Sequence, residues 1–322
     1  MDHDTAQVKT SGKIRLVLAW LLGLAPFGVS GATIDVLWYT YAHPESIYVQ
    51  TIQKLADVVH TLPKSSGLRW KLTFFRPGSA TPAFAKYNVL VIHSGEPGFT
   101  GQYFTYLGYT DPKQPFAAPD YGGILRNKGA IEAARGERTF ITGSDADVHA
   151  VWGDTGHAPH DPSGKKGRVT CNPPISATCW DGALGHLVNA VNWAASGRGL
   201  GIVSLVAGED ARARWWLDPN SFLRAELKGF VVIWGAGTTR ENNPVIPVAA
   251  QDYPLNSGLT TKGLGNWNNS FHGGISRSIP GYAPIVNSTV YPDMAVAVAT
   301  ARFANAGTSG PAPPVASGAP QR

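Results

Sequence analysis

The sequence predicts an α/β fold, a mostly parallel sheet with helices on both faces. Three observations predict it. Short apolar runs alternate with helical patterns along the chain, the order expected of strand–helix–strand units. The run NVLVIH at 88–93 is almost wholly apolar, as in strands covered on both faces. Segments 46–62 and 181–196 carry apolar residues at three- and four-residue steps, the period of a helix with one buried face.

The elements follow in order. IDVLWY at 34–39 reads as a buried strand. In 46–62, Tyr48, Ile52, Leu55, Val59 and Leu62 share a face. RWKLTFF at 69–75 is a second strand and 88–93 a third. A helix through 131–134 leads to a fourth strand at 138–142. In 181–196, Asp181 caps the first turn, Leu184, Leu187, Val188 and Val191 form the apolar stripe, and Gly197 ends the helix. LGIVSLV at 200–206 is a fifth strand. Asp218-Pro219 reads as a cap and first position of a short helix stopping at Gly229. FVVIW at 230–234 and MAVAVAT at 294–300 complete the strands.

In open sheets of this kind, ligands bind beyond the carboxyl ends of the strands. The polar residues there are the candidate site. His43 follows the first strand, and His93 and Glu96 follow the third. Ser144, Asp145, Asp147 and His149 follow the fourth, and His272 lies in a later polar segment. Asp145, Asp147 and His149 have the oxygen and imidazole donors for a divalent metal ion, with His93 as a fourth ligand. The same carboxylates also suit a turn, bonding nearby backbone N–H groups. Ser144, with His93 or His149 as base, is the candidate nucleophile, although Gly-x-Ser-x-Gly is not present around it.

The N-terminus reads as a secretory signal over 1–32: Lys9, Lys13 and Arg15, an apolar run of about 14 residues, then Ser30-Gly31-Ala32. That run is shorter than the roughly 20 residues a spanning helix needs, and the mature chain offers no other candidate. The expected location is secreted or periplasmic. The chain's two cysteines, Cys171 and Cys179, are expected to form a disulfide there. Lys and Arg total 27 against 22 Asp and Glu, without a basic run, so a nucleic-acid partner is not expected. One domain is expected over 33–303. The segment 304–322, rich in Pro, Ala, Gly and Ser, reads as a disordered tail.

Several stretches together resemble the class I glutamine-amidotransferase-like superfamily, and within it the ThuA-like proteins. They are NVLVIHSGEPG, RTFITGSDADVHAV, DGALGHLVNAVNWAASG and YPLNSGLTTKGLGNWNNSFHGG, within a likeness running from about Thr33 to Arg302. TGSDADVHAV and NAVNWAASGRGLGIV are also similar to exported bacterial proteins that bear a Pro-Glu-Pro sorting tail, which is absent here. The resemblance implies a flavodoxin-like sheet. It also implies a cysteine nucleophile paired with histidine at the turn after the fourth strand, where this chain has Ser144. The resemblance therefore implies an amidotransferase-like fold without glutaminase activity; the many tryptophans and tyrosines, with faces suited to sugars, make a small polar ligand such as a carbohydrate the expected occupant of the strand edge. The alternative is a secreted, metal-assisted hydrolase acting on a glycan or ester in the same cleft.

Overall fold

The computed structural model describes residues 31–94, 119–152, 175–206, 214–233, 241, 243–265 and 271–308. Among them is a nine-stranded mixed sheet in the order β2-β1-β3-β5-β4-β9-β7-β6, with β8 also paired to β9. The strands are β1 (Thr33–Tyr39), β2 (Arg69–Phe75), β3 (Val89–Ile92), β4 (Arg135–Thr142), β5 (Leu200–Leu205), β6 (Val231–Val232), β7 (Gly273–Ser276), β8 (Tyr282–Asn287) and β9 (Met294–Thr300). The first five are parallel; β9 runs antiparallel to β4, and β6, β7 and β8 extend that antiparallel wing. The fold is thus α/β. Flavodoxin-like sheets have the order 2-1-3-4-5, whereas here the fourth and fifth strands exchange places.

The helices are α1 (Ile47–Val58), α2 (Gly122–Arg126), α3 (Lys128–Ala134), α4 (Ala146–Trp152), α5 (Ala183–Ala195) and α6 (Thr261–Leu264). Ser46 caps α1 by accepting from the Val49 N–H. Tyr48, Ile52, Leu55 and Val59 are all buried, as the periodicity requires. α1 packs on α4, and α4 on α5. The β3-to-β4 connection crosses the sheet in the opposite sense to β1-to-β2 and β4-to-β5. Right-handed crossovers therefore place α2 and α3 on the other face. No helix among the described residues is long and apolar enough to cross a membrane.

Three local expectations are corrected. The N-cap of α5 is Gly182, without a side-chain bond, rather than Asp181. Residues 219–229 form turns instead of a helix, although the Asp218 carboxylate accepts from the Asn220 N–H as a cap does. The chain also stays docked beyond 303. Ala304 is buried, the Trp193 indole donates to Phe303 O at 3.1 Å, and Arg138 reaches Gly307 O at 3.4 Å.

Gly201 sets how closely α5 lies on the sheet. A Cβ there would sit 2.2 Å from the carbonyl oxygen of Ala194. Neither backbone can yield without moving the helix off β5. Gly201→Ala is expected to lower stability by about 2 kcal/mol or more in urea denaturation.

Candidate functional site

The chain leaves β1 to form β2 on one side and β3 on the other, so the carboxyl ends of β1 and β3 flank the switch point of the sheet. β3 ends into His93-Ser94 and β1 into Thr40-Tyr41. The Tyr41 ring meets the His93 imidazole nearly edge-on at 4.3 Å between centroids, and Tyr121 lies 5.5 Å away. The Tyr121 hydroxyl donates to His93 O at 3.1 Å, and its ring stacks on Trp215 at 5.8 Å. His93 is fully buried, and burial pushes its imidazole down to about 3, so it is neutral at pH 7.

Asp147 joins this cluster from the first turn of α4. Its Oδ2 accepts from the Tyr48 hydroxyl at 2.8 Å and the Ser94 N–H at 3.2 Å. The Tyr48 oxygen in turn accepts from the Trp38 indole at 3.0 Å. Burial pushes the Asp147 carboxyl up to about 6. The bonds from Ser94 and Tyr48 oppose that rise, and the charge of Asp145 adds to it. Burial, reinforced by Asp147, also raises the Tyr48 phenol well above its usual range.

Asp145 has different company. Its Oδ2 lies 3.4 Å from His149 Nε2 and its Oδ1 3.3 Å from His272 Nε2. Burial would raise this carboxyl, yet the two imidazoles together hold it below the usual carboxylate range. His149 is one helical turn beyond Asp145, so local geometry brings it there. His272 arrives from far along the chain because Gly143 O accepts from the N–H groups of His272 (2.6 Å) and Gly273 (2.9 Å). A Cβ on Gly143 would sit 1.9 Å from Gly273 O.

The expected residues therefore divide. His93 and Asp147 share one cluster, and Asp145, His149 and His272 form an adjoining one. Among the described residues, no three His, Cys, Asp or Glu side chains form a group that could hold a metal ion. The expected trio does not face one point: Asp145 is directed to the two imidazoles, Asp147 to Tyr48 and Ser94. Ser144 is buried and its hydroxyl bonds Thr142 Oγ1 at 3.1 Å, with no imidazole nitrogen in reach among the described residues. His43 stands apart, accepting from the Glu45 N–H in its own turn.

Glu96 and Cys171 lie outside the described residues. Cys179 is buried, with Ser176 Oγ 3.2 Å from its sulfur, and no described cysteine is free. Sequence reasoning missed the part of Tyr48, although its position in the first turn after the Ser46 cap was a signal. Tyr121 and Trp215 carried none. His186, on α5, also proves relevant: its Nε2 lies 3.1 Å from Thr142 Oγ1, and its ring meets Phe140 and Phe271 edge-on. No family model, no curated protein and no solved structure matches this chain.

Two predictions follow from this packing. Gly143→Ala should separate the β7 segment from the end of β4, lowering stability by about 3 kcal/mol and shifting the NMR signals of His272. The second concerns pH. Burial lowers the His186 imidazole to about 3, so the folded state binds fewer protons than the unfolded chain below about pH 6.5. That stability contribution is complete above pH 6.5 and is lost as the pH falls toward 3. Asp147 acts oppositely, because its raised carboxyl makes stability fall as the pH rises from about 4 to about 6. In denaturation curves taken across this range, His186→Gln should flatten the acid limb by up to about 5 kcal/mol between pH 6.5 and 3. Asp147→Asn should gain on the wild type by about 3 kcal/mol between pH 4 and 7.

Proposed function

We infer that the chain is an exported binding protein of amidotransferase-like fold, without glutaminase activity, that holds a small polar ligand such as a carbohydrate at the carboxyl edge of its sheet. The observation that carries this reading is the cluster at the switch point. There a neutral imidazole, His93, is framed by the rings of Tyr41 and Tyr121 beside the polar pair Asp147 and Tyr48. Aromatic faces with a few polar groups are the usual lining of small-molecule sites, and tyrosine suits the apolar face of a sugar. Ser144, bonded to Thr142 where the superfamily has its cysteine, supports the lack of glutaminase chemistry. Export rests on the N-terminal charge, apolar and small-residue order, and agrees with a Cys171–Cys179 bond.

One observation favours the alternative, a secreted hydrolase. Asp145 and Asp147 are two residues apart, yet their surroundings push their carboxyls in opposite directions. A carboxylate held ionised near a carboxyl that keeps its proton to higher pH is the pattern of a base and an acid. A divalent ion would belong to this reading and would have to enlist Asp145, Asp147 or His149 after rearrangement of their present bonds.

The melting temperature of the purified mature protein, scanned against neutral saccharides with and without chelator, tests both readings. The binding reading expects a saccharide-dependent rise of several degrees that Tyr41→Ala removes and chelator leaves unchanged. A fall with chelator, together with bound metal by elemental analysis and turnover of chromogenic glycosides or esters lost in Asp145→Asn, would establish the hydrolase instead. No rise with any saccharide would overturn the carbohydrate reading.

A further inference from the structure

A polar cleft of about 480 Å³ lies on the flank of the domain, within the size range of small-ligand sites. It is distinct from the carboxyl rim. Asn189 and Asn192 of α5 form one wall, the 251–259 loop forms the other, and Ser66, three residues before β2 begins, lies at one end. None of the residues discussed above as site candidates lines it.

Its hydrogen-bonding capacity is lopsided in an informative way. Asn192 is engaged at both ends of its amide, accepting from the Trp70 indole and donating to Ser65 O, both at 2.8 Å. The Asn189 amide donates to Leu255 O and Ser257 O, and the Asn256 amide to Ala250 O and Ile285 O. Asn189 thus uses its N–H groups to hold the loop and keeps its carbonyl oxygen in reserve for the cleft. Asn256 Oδ1 has no hydrogen-bond partner among the described residues but is closed off from the cleft surface. The exposed Gln251 and Ser257 add groups that both donate and accept. Tyr253, half-buried, adds an aromatic ring.

Charge narrows the ligand further. Among the described lining residues Asp252 alone is charged; its carboxylate disfavours an anion beside it and can accept from two neighbouring hydroxyls. Ser66 at the end of the cleft has φ 62, a left-handed conformation uncommon without glycine, and its hydroxyl lies 3.3 Å from that of Thr308. Strained backbone of this kind gathers at ligand-holding positions. Spare acceptors, an aromatic ring and a single negative charge match a molecule rich in hydroxyl donors with an apolar face.

We propose that this cleft is a separate binding site for a neutral saccharide of one or two rings, in addition to any ligand at the carboxyl rim. The test is titration of the isotope-labelled mature protein with maltose, cellobiose and chitobiose, read by NMR. With at least one of them, the side-chain amide signals of Asn189, Asn256 and Gln251 should move saturably at millimolar concentration. Tyr253→Ala and Asp252→Asn, with melting temperatures near that of the wild type, should weaken binding about tenfold, and Asp145→Asn should leave it unchanged. The proposal is overturned if none of the three sugars moves these signals, or if glucuronate binds as tightly as its neutral counterparts. It is also overturned if Tyr41→Ala or Asp145→Asn abolishes binding while Tyr253→Ala does not. That last outcome would locate the sugar at the rim and support the function inferred above.

Discussion

The close passage of two glycines joins the halves of this protein. At Gly143 the backbone leaving β4 receives two hydrogen bonds from His272 and Gly273, in a space with no room for a side chain on Gly143. Besides that contact, the parallel strands and the antiparallel wing meet along the β4–β9 ladder and where Arg135 of β4 reaches the Tyr282 hydroxyl of β8. With the glycine contact, an imidazole more than a hundred residues away in sequence is fixed beside Asp145. The site is therefore held by main chain, with side chains completing it. Such an arrangement tolerates little drift, since a carboxylate buried among rings depends on its partners to remain charged.

The two aspartates show how position, more than residue type, sets chemistry. Asp145 faces two imidazoles and stays ionised; Asp147 faces a phenol and a backbone N–H and rises to about 6. Nearby, His93 and His186 are buried where protonation is costly, so both remain neutral. Burial and neighbours thus leave Asp145 ionised, raise Asp147, and keep both imidazoles neutral. Acid should disturb them in sequence, with the buried imidazoles opposing proton uptake from about pH 6.5 downward.

Much of the parallel body was legible because burial on both faces leaves a strong mark. β2 was expected with its observed bounds, and β1, β3 and β5 within a residue or two, since apolar and β-branched runs have few other uses. The antiparallel wing was harder to read. GGIS at β7 has a single bulky residue, Ile275, and Pro284 within β8 argues against a strand while in fact coinciding with a shift of register. The site was half legible. The strand-end rule led to His93, Asp145, Asp147 and His149, but pattern alone could not show that Asp147 turns toward Tyr48. Nor could it show that Thr142 lies between Ser144 and His186. Those facts depend on which faces of α4 and α5 meet the sheet, and short helices set that by packing.

Arg138 has a practical consequence. Its guanidinium, lying over the Trp193 ring, grips Gly307 near the start of β4, at the end of the sheet remote from His93 and Asp145. Thr308, next in the chain, therefore lies near the end of the sheet opposite the switch point. An affinity tag or surface tether fused there would leave the rim around the switch point unobstructed. The same fusion would crowd the amide-lined cleft, whose border includes Gly307 and Thr308. Immobilised and free protein should accordingly differ at one of these places and agree at the other.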